Sequence, residues 1–422
     1  MPVIKGQHIY LPKRTFDYTK WAVIACDQFT SDKEYWETVA NYVSDAPTAY
    51  NLILPEIYLS NDNSQKIKEI NQNIANYYNS ELFNDEGLCM ILVNRSTEQH
   101  KKRLGIVMTV DLENYSFNPD EQALIKATEH TILNRIPPRV EIRKNAIMEF
   151  SHVILLYDDR KLKIAENLYK NKENLEEVYN FNLNMQGGKL AGYKIKDKEV
   201  QKVINQFEEL LKPEYLKETF NTDKPLLFAV GDGNHSLATA KEHWNNIKAN
   251  LSEEEKQVHP ARYALVEAIN IHDEGIEFHP IHRVVFNAGK KFIKGLKKLF
   301  KVNVKKLDQN SYIVQKIITN GVEEDLYLPN NSPLAIKMVQ EYIDNFHGKR
   351  LEMSVDYIHG EEELKNLCEN KKDAVGITLP TLNKNELFEF IIKHGVLPRK
   401  AFSIGSAREK RYYLEGHKIK SV

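Results

Sequence analysis

Six consecutive residues, Gly231-Asp232-Gly233-Asn234-His235-Ser236, hold the parts of an anion site. Glycine admits positive φ and lets the backbone approach a ligand closely, and the first N–H groups of a helix have no partner inside it. A glycine-flanked turn that opens a helix is therefore a natural cradle for phosphate. Asp232 can hold Mg²⁺ or accept a proton, and His235 can donate to a phosphate oxygen or shuttle a proton near neutral pH. The plain alternative is structural, because Asp-Gly is ordinary turn chemistry and Asn234 or Ser236 can cap a helix without any ligand.

Other polar groups could complete such a site. Glu129-His130-Thr131, followed by Arg135 and Arg139, offers a carboxylate, an imidazole and two guanidinium groups, the inventory for deprotonating a hydroxyl while steadying a phosphate. The same residues also describe a solvated helix end. His282-Arg283 can form a positive rim for phosphate or carboxylate, or an ordinary surface ion pair. Asp27 follows the apolar run Trp21 to Cys26, a position where α/β sites form, or it caps the helix that starts near Asp32. His272, Asp273, His279 and His282 lie close in sequence but lack HExxH spacing, which leaves zinc as a weaker option. Gly187-Gly188-Lys189 is followed by Leu190 where a P-loop needs Ser or Thr, so it reads as a mobile loop. Neither GxGxxG nor GxSxG occurs, which removes support for a dinucleotide fold or an α/β hydrolase.

These residues must be held by a scaffold. Pro225 to Val230 reads as a buried strand, and Leu237, Ala240 and Trp244 space as a helix after the turn. Further strands are expected at Trp21 to Cys26, Leu88 to Val93, Gly105 to Val110, His152 to Tyr157 and Ala264 to Ile271. Helices are expected at Asp32 to Val43, Gln65 to Asn79, Asp120 to Asn134 and Lys198 to Leu211, with Pro137-Pro138 stopping the third of these. Alternating strands and helices predict a mixed α/β fold. Near Asn287 the character changes to a lysine-rich stretch, Lys290 to Lys306, and polar strands around Tyr312 to Leu328. The reading is a ligand-binding or catalytic region over 1–287 and a smaller α+β accessory region over 288–422.

The chain has 422 residues, 42% hydrophobic and 28% charged, enough for two or three cores. Its 58 Lys and Arg balance 59 Asp and Glu, so no global field favours nucleic acid or an anionic membrane, and a small molecule is the expected ligand. Three scattered cysteines suit a reducing cytosol. The N-terminus shows no apolar signal core, and no run approaches the roughly 20 apolar residues of a membrane span. The oligomeric state stays open, with a homodimer as one option.

Seven segments, in order, then give a resemblance over essentially the whole chain. They are Trp21-Ala-Val-Ile-Ala-Cys-Asp27, Ile136-Pro-Pro-Arg139, Val230-Gly-Asp-Gly-Asn-His-Ser-Leu-Ala-Thr-Ala240, His259-Pro-Ala-Arg-Tyr263, Pro280-Ile-His-Arg283, Asp356-Tyr-Ile-His-Gly360 and Leu397-Pro-Arg-Lys-Ala-Phe402. Together they closely resemble the prokaryotic domain-of-unknown-function family 1015. More remotely, Asp232-Gly233-Asn234-His235 is similar to the phosphate-handling turn of the ParB/sulfiredoxin superfamily, to which the archaeal free-serine kinase belongs. That resemblance implies a ParB/sulfiredoxin-like core, ATP or ADP with Mg²⁺, and serine or phosphoserine as substrate, with Glu129 as counterpart of the kinase glutamate. One departure stands out: the superfamily arginine after the histidine is Ser236 here, so a phosphate contact must come from Arg283, Arg139 or Arg135. The resulting reading is a phosphotransferase or phosphohydrolase of amino-acid metabolism. The alternatives are a nucleotide-sensing or partner-binding module without chemistry, with Lys290 to Lys306 as a docking surface, and a zinc hydrolase.

Overall fold

The computed structural model describes residues 2–59, 62–131, 136–300, 311–347, 352–371 and 373–420. The fold is mixed α/β, divided into two compact units, Met1–Ile276 with Gly405–Val422, and Glu277–Ile404. The division falls elsewhere than residue 287. Strand Phe278–Phe286 lies just before the expected boundary and pairs with Ser354–His359, Ala374–Ile377 and Phe402–Ile404 beyond it, so a cut at 287 would sever one sheet from its own strand. The last segment leaves that unit and returns to the first, where Tyr412–Tyr413 pairs with Val23–Ile24 and Gly416–Lys418 pairs with Gln7–Pro12.

The first unit is built on a 13-stranded mixed sheet. Its central order runs Ile125–Lys126, Phe228–Asp232, Ile154–Tyr157, Tyr263–Asn270, Arg103–Asp111, Phe83–Ser96 and Gln7–Pro12. Side chains alternate along each strand, so one set of residues feeds each face. Leu92, Ile106, Met108, Leu155, Phe228 and Val266 pack on one side with Phe207, Leu237 and Trp244 from covering helices. Ile91, Val93, Val107 and Leu265 pack on the other with Trp21, Trp36, Ile70 and Ile74. A sheet covered on both faces reads as continuous apolar runs, which is why its central strands were legible.

Helix boundaries follow local chemistry. Helix Lys33–Val43 starts where the Asp32 carboxylate accepts the Tyr35 N–H at 2.9 Å, so Asp32 and not Asp27 is the cap. The helix expected over Asp120 to Asn134 does not form over the described part of that span. Residues Ile125–Lys126 are a strand beside Phe228–Asp232, and the helix is Ile136–Asn145 instead, with Pro137 and Pro138 in its first turn. Proline lacks an N–H that the first turn would leave unpaired anyway, so here it opens a helix and does not end one. Gly187-Gly188 lies in the hairpin turn between Glu176–Asn182 and Lys189–Lys196, with Leu183 N–H donating to Gly188 O at 2.7 Å. Among the described residues no helix is long and apolar enough to cross a membrane.

The second unit carries an antiparallel sheet in the order Val322–Pro329, Tyr312–Thr319, Ala374–Ile377, Phe278–Phe286, Ser354–His359, with helix Glu361–Asn370 packed on it. Of the lysine-rich stretch, helix Gly289–Leu299 buries Phe292 and Leu296; residues 301–306 lie outside the described residues.

Candidate functional site

Strand Phe228–Asp232 runs antiparallel to Ile154–Tyr157, and the register slips between Val230 and Asp232, leaving Gly231 as the extra residue of a bulge. A bulge re-aims the side chain that follows it, and Asp232 is that side chain. Gly233 alone of the two glycines adopts left-handed backbone, φ 81° and ψ 29°, and helix Asn234–Lys248 follows at once. This helix has no side-chain cap; its first internal bond is Leu237 N–H to Gly233 O. The strand, turn and helix expected here are present, but neither Asn234 nor Ser236 serves as the cap.

Asn234 is instead a strut. Its Oδ1 accepts the Thr128 N–H at 3.2 Å, and the Thr128 hydroxyl donates to Val230 O at 2.6 Å. The segment carrying half-buried Glu129 is thereby tied beside the turn. His235 lies half-buried in the first helical turn, and its carbonyl accepts the Thr239 hydroxyl at 2.7 Å. His130 is exposed, and Thr131 is half-buried. Arg135 lies outside the described residues.

The Asp232 carboxylate faces two environments. Oδ1 accepts the Gly233 N–H at 3.0 Å, while Oδ2 is buried without a hydrogen-bond partner among the described residues. Lys410 Nζ stands 3.6 Å from that oxygen, with the lysine side chain 8% exposed. Lys410 comes from the C-terminal return. Its segment is held by Arg95, whose buried guanidinium donates to the carbonyls of Gly187 at 2.9 Å, Arg408 at 2.6 Å and Glu409 at 3.0 Å, and also to that of Lys410.

A second charged pair lies beside the first. His152 Nε2 is 3.5 Å from Asp27 Oδ2 and 3.4 Å from Ser236 Oγ, and Nδ1 is 2.7 Å from the Tyr413 hydroxyl. Burial works against both charges, yet their mutual attraction prevails. The His152 pKa is raised, burial opposing and Asp27 and then Asp232 favouring the cation. Asp27 is held below the usual carboxylate range by His152, Gln28 and Lys410, again against burial. A depressed carboxylate of this kind suits a counterion better than a base. Serine, histidine and aspartate meet here, but a catalytic triad places acid and serine on opposite ring nitrogens; here both face Nε2. Burial pushes the neighbouring Cys26 thiol up to about 12, which leaves little thiolate at neutral pH.

The remaining candidates have other partners. Arg139 ion-pairs with Glu56 and, with His152 and Ser236, lines a cavity of about 170 Å³. Arg283 is fully buried within the second unit, donating to Gln340 Oε1 at 2.7 Å, Ile281 O at 2.6 Å and Arg399 O at 3.3 Å, with Tyr357 beneath it at 4.6 Å. It is a structural strut, not the exposed rim expected of it. His282 Nδ1 likewise accepts the Leu379 N–H at 3.1 Å. The zinc option fails on similar grounds. His272 faces Asp158 at 2.9 Å, Asp273 accepts the Gly275 N–H at 2.7 Å and His279 faces Glu277 at 3.8 Å. No group of three or more His, Cys, Asp or Glu side chains able to hold a metal exists among the described residues.

Sequence reasoning missed His152, Lys410 and Tyr413. His152 carried a faint signal, a histidine directly before the apolar run Val153 to Tyr157. Lys410-Arg411-Tyr412-Tyr413 carried none that a surface segment would lack.

Residues 10–365 match the family model described as protein of unknown function (DUF1015). No curated protein matches the chain. Among solved structures, the chain is similar to a conserved hypothetical protein from Pyrococcus furiosus, at 13% identity over 74% of this chain and 95% of that one, TM-score 0.35. It is also similar to a free serine kinase variant in complex with AMP, at 9% identity over 74% and 92% of the two chains, TM-score 0.38. A third is SbnI with C-terminal truncation from Staphylococcus aureus, at 10% identity over 71% and 82%, TM-score 0.38.

Proposed function

We propose that this chain, which belongs to the family of unknown function DUF1015, is a phosphotransferase or phosphohydrolase acting on a small hydroxyl compound, serine or phosphoserine, with ATP or ADP as the phosphate partner. One observation carries the reading: a carboxylate oxygen without a hydrogen-bond donor, Asp232 Oδ2, is paired with the buried ammonium of Lys410 at a left-handed turn that opens an uncapped helix. Helix N-termini and lysine both favour phosphate. Serine and the nucleotide enter through the resemblance of the Asp232 to His235 turn.

In this reading Glu129, held beside the turn through Thr128, takes the proton of the attacking hydroxyl as the hydroxyl oxygen bonds to the terminal phosphorus of the donor and the bridging P–O bond breaks, the nucleotide leaving one phosphate shorter with the electron pair. Lys410 and the His152 cation offset charge on the phosphoryl oxygens, while His235 and the helix N–H groups orient them. Lys410 takes the place that the superfamily arginine leaves open at Ser236, with Arg139 as a further cation nearby. Mg²⁺ typically rests on one or two carboxylates plus phosphate oxygens, so it needs no three-residue cage, and none is present among the described residues. Asp232 Oδ2 fits as its protein ligand, and the ion would supply charge neutralisation.

The test is purified protein with Mg²⁺, assayed for serine-dependent consumption of ATP or ADP and for phosphate release from phosphoserine. Turnover that falls about 10²-fold or more in Glu129→Gln is expected. Absence of both reactions ends the reading. Tight nucleotide binding without turnover, unchanged in Glu129→Gln, would make the protein a sensor.

A further inference from the structure

Asp27, His152, Lys410 and Tyr413 stand on three segments far apart in the chain, and Arg411 joins all three. It lies in the segment of Lys410 and Tyr413, directly after the first and two residues before the second. Its carbonyl accepts the Ala25 N–H at 2.9 Å, two residues before Asp27. Its Nε donates to Ser151 O at 3.0 Å, one residue before His152. The other guanidinium nitrogens face carboxylates, Nη1 that of Glu267 and Nη2 that of Glu415 at 2.7 Å.

Each of these contacts is fixed from behind. Glu267 belongs to strand Tyr263–Asn270, and its N–H donates to Val153 O at 3.0 Å, so the strand that bears this carboxylate also holds the residue after His152. Glu415 accepts the Tyr179 hydroxyl at 2.5 Å. The side chains of Arg411, Glu267 and Glu415 are all buried, where charge-assisted bonds are strong and water does not compete. A guanidinium is a rigid planar fork, so a carbonyl and two carboxylates bound to it are held in one fixed arrangement; an ammonium keeps the charge but not the fork. The guanidinium is spent on Ser151, Glu267 and Glu415, so it acts on the site through the backbone. We infer that Arg411 is a positioning residue for the site: its single guanidinium sets the spacing of the segments that present His152 and Lys410, and so the placement of the two cations. That these cations serve phosphate rests on the phosphoryl-transfer reading. The coupling of their positions through Arg411 does not.

The test is Arg411→Lys in the full chain, read in two ways. Without nucleotide, the imidazole NMR signals of His152 are compared at one fixed pH with those of His259, which packs on Trp244 in the same unit. The His152 signals are expected to move and those of His259 to stay. With ATP, isothermal titration on the wild-type protein, Lys410→Met, Arg411→Lys and the double variant closes a cycle. Arg411→Lys is expected to weaken ATP about tenfold, and the double variant to bind at least about threefold tighter than the product of the two single losses requires, because the displaced ammonium is already gone. Unmoved His152 signals, equal movement of His152 and His259, or strictly multiplicative losses overturn the inference. Should Arg411→Lys not fold, Glu415→Gln, which weakens the hold on Nη2 alone, is put through both readouts with the same outcomes deciding. If ATP does not bind the wild-type protein, the nucleotide reading fails and the His152 signals alone decide the role of Arg411.

Discussion

Lys410 Nζ lies 3.6 Å from Asp232 Oδ2, an oxygen that no described hydrogen-bond donor satisfies. The two residues come from distant parts of the chain and meet only because the C-terminal segment returns to the first unit. A half-buried carboxylate facing an ammonium is held in place yet keeps capacity for a further ligand.

Replacing Lys410 removes the cation that faces the turn. Lys410→Met is expected to weaken ATP binding about tenfold to a hundredfold, roughly 1.4 to 2.8 kcal/mol, with Lys410→Arg retaining most of the affinity. Isothermal titration reads this directly. Equal affinity in Lys410→Met would remove Lys410 from the site.

The Asp27 and His152 pair predicts a pH profile. His152 is raised in the folded protein, so its contribution is complete below about pH 6.5 and is lost as pH rises through the folded value. Asp27 is depressed, so its contribution is present above about pH 4 and is lost as pH falls through the folded value. The pair therefore stabilises most between about pH 4 and 6.5. Thermal unfolding across pH should show a smaller gap between the wild-type protein and Asp27→Asn at pH 8 than at pH 5.5. A gap that does not change with pH would show that the pair is not ionic.

Gly233 should resist substitution for two separable reasons. Its φ of 81° is strained for any residue with a Cβ, and that Cβ would stand 3.1 Å from both Cα and Cγ2 of Val153. Gly87 has a similar φ of 78° with nothing within 4 Å of a Cβ, so it isolates the backbone effect. Gly87→Ala is expected to lose about 1 kcal/mol and Gly233→Ala about 2 to 3. Chemical denaturation of both variants checks the difference.

Arg95 is the clamp on the C-terminal return. Arg95→Lys keeps the charge but cannot reach four carbonyls at once, and leaving buried carbonyls unpaired costs about 1 to 3 kcal/mol. Hydrogen exchange should then accelerate in the segment around residues 408–413 more than in strand Tyr263–Asn270. Uniform acceleration across both would mean global destabilisation without a specific clamp.

Legibility in the sequence followed the range of the interactions involved. The strands at Leu88 to Val93, Gly105 to Val110 and Ala264 to Ile271 were visible because, the exposed Leu88 apart, both of their faces are buried, which writes a largely apolar run. The segment after Asp120 was misread because its apolar residues suit a helix locally. The decisive contact is remote: Leu124 O accepts the N–H groups of Leu227 and Phe228 and pulls the segment into the sheet. Arg283 was misplaced because a charged residue in an apolar strand looks like a rim from sequence, and only the positions of Gln340 and Tyr357 show it to be sealed.

The sequence by itself determined the mixed α/β class, the family and the Gly231 to Ser236 turn. Each of these rests on local periodicity, on ordered segments or on glycine's freedom at positive φ. Only the tertiary structure decided which side chains share that turn. Asp27, His152, Lys410 and Tyr413 leave no common pattern along the chain, because they are brought together by strand register and by the pairing of Tyr412–Tyr413 with Val23–Ile24. Such contacts are fixed by closure of the sheet over long loops, and adjacent residues carry no record of it.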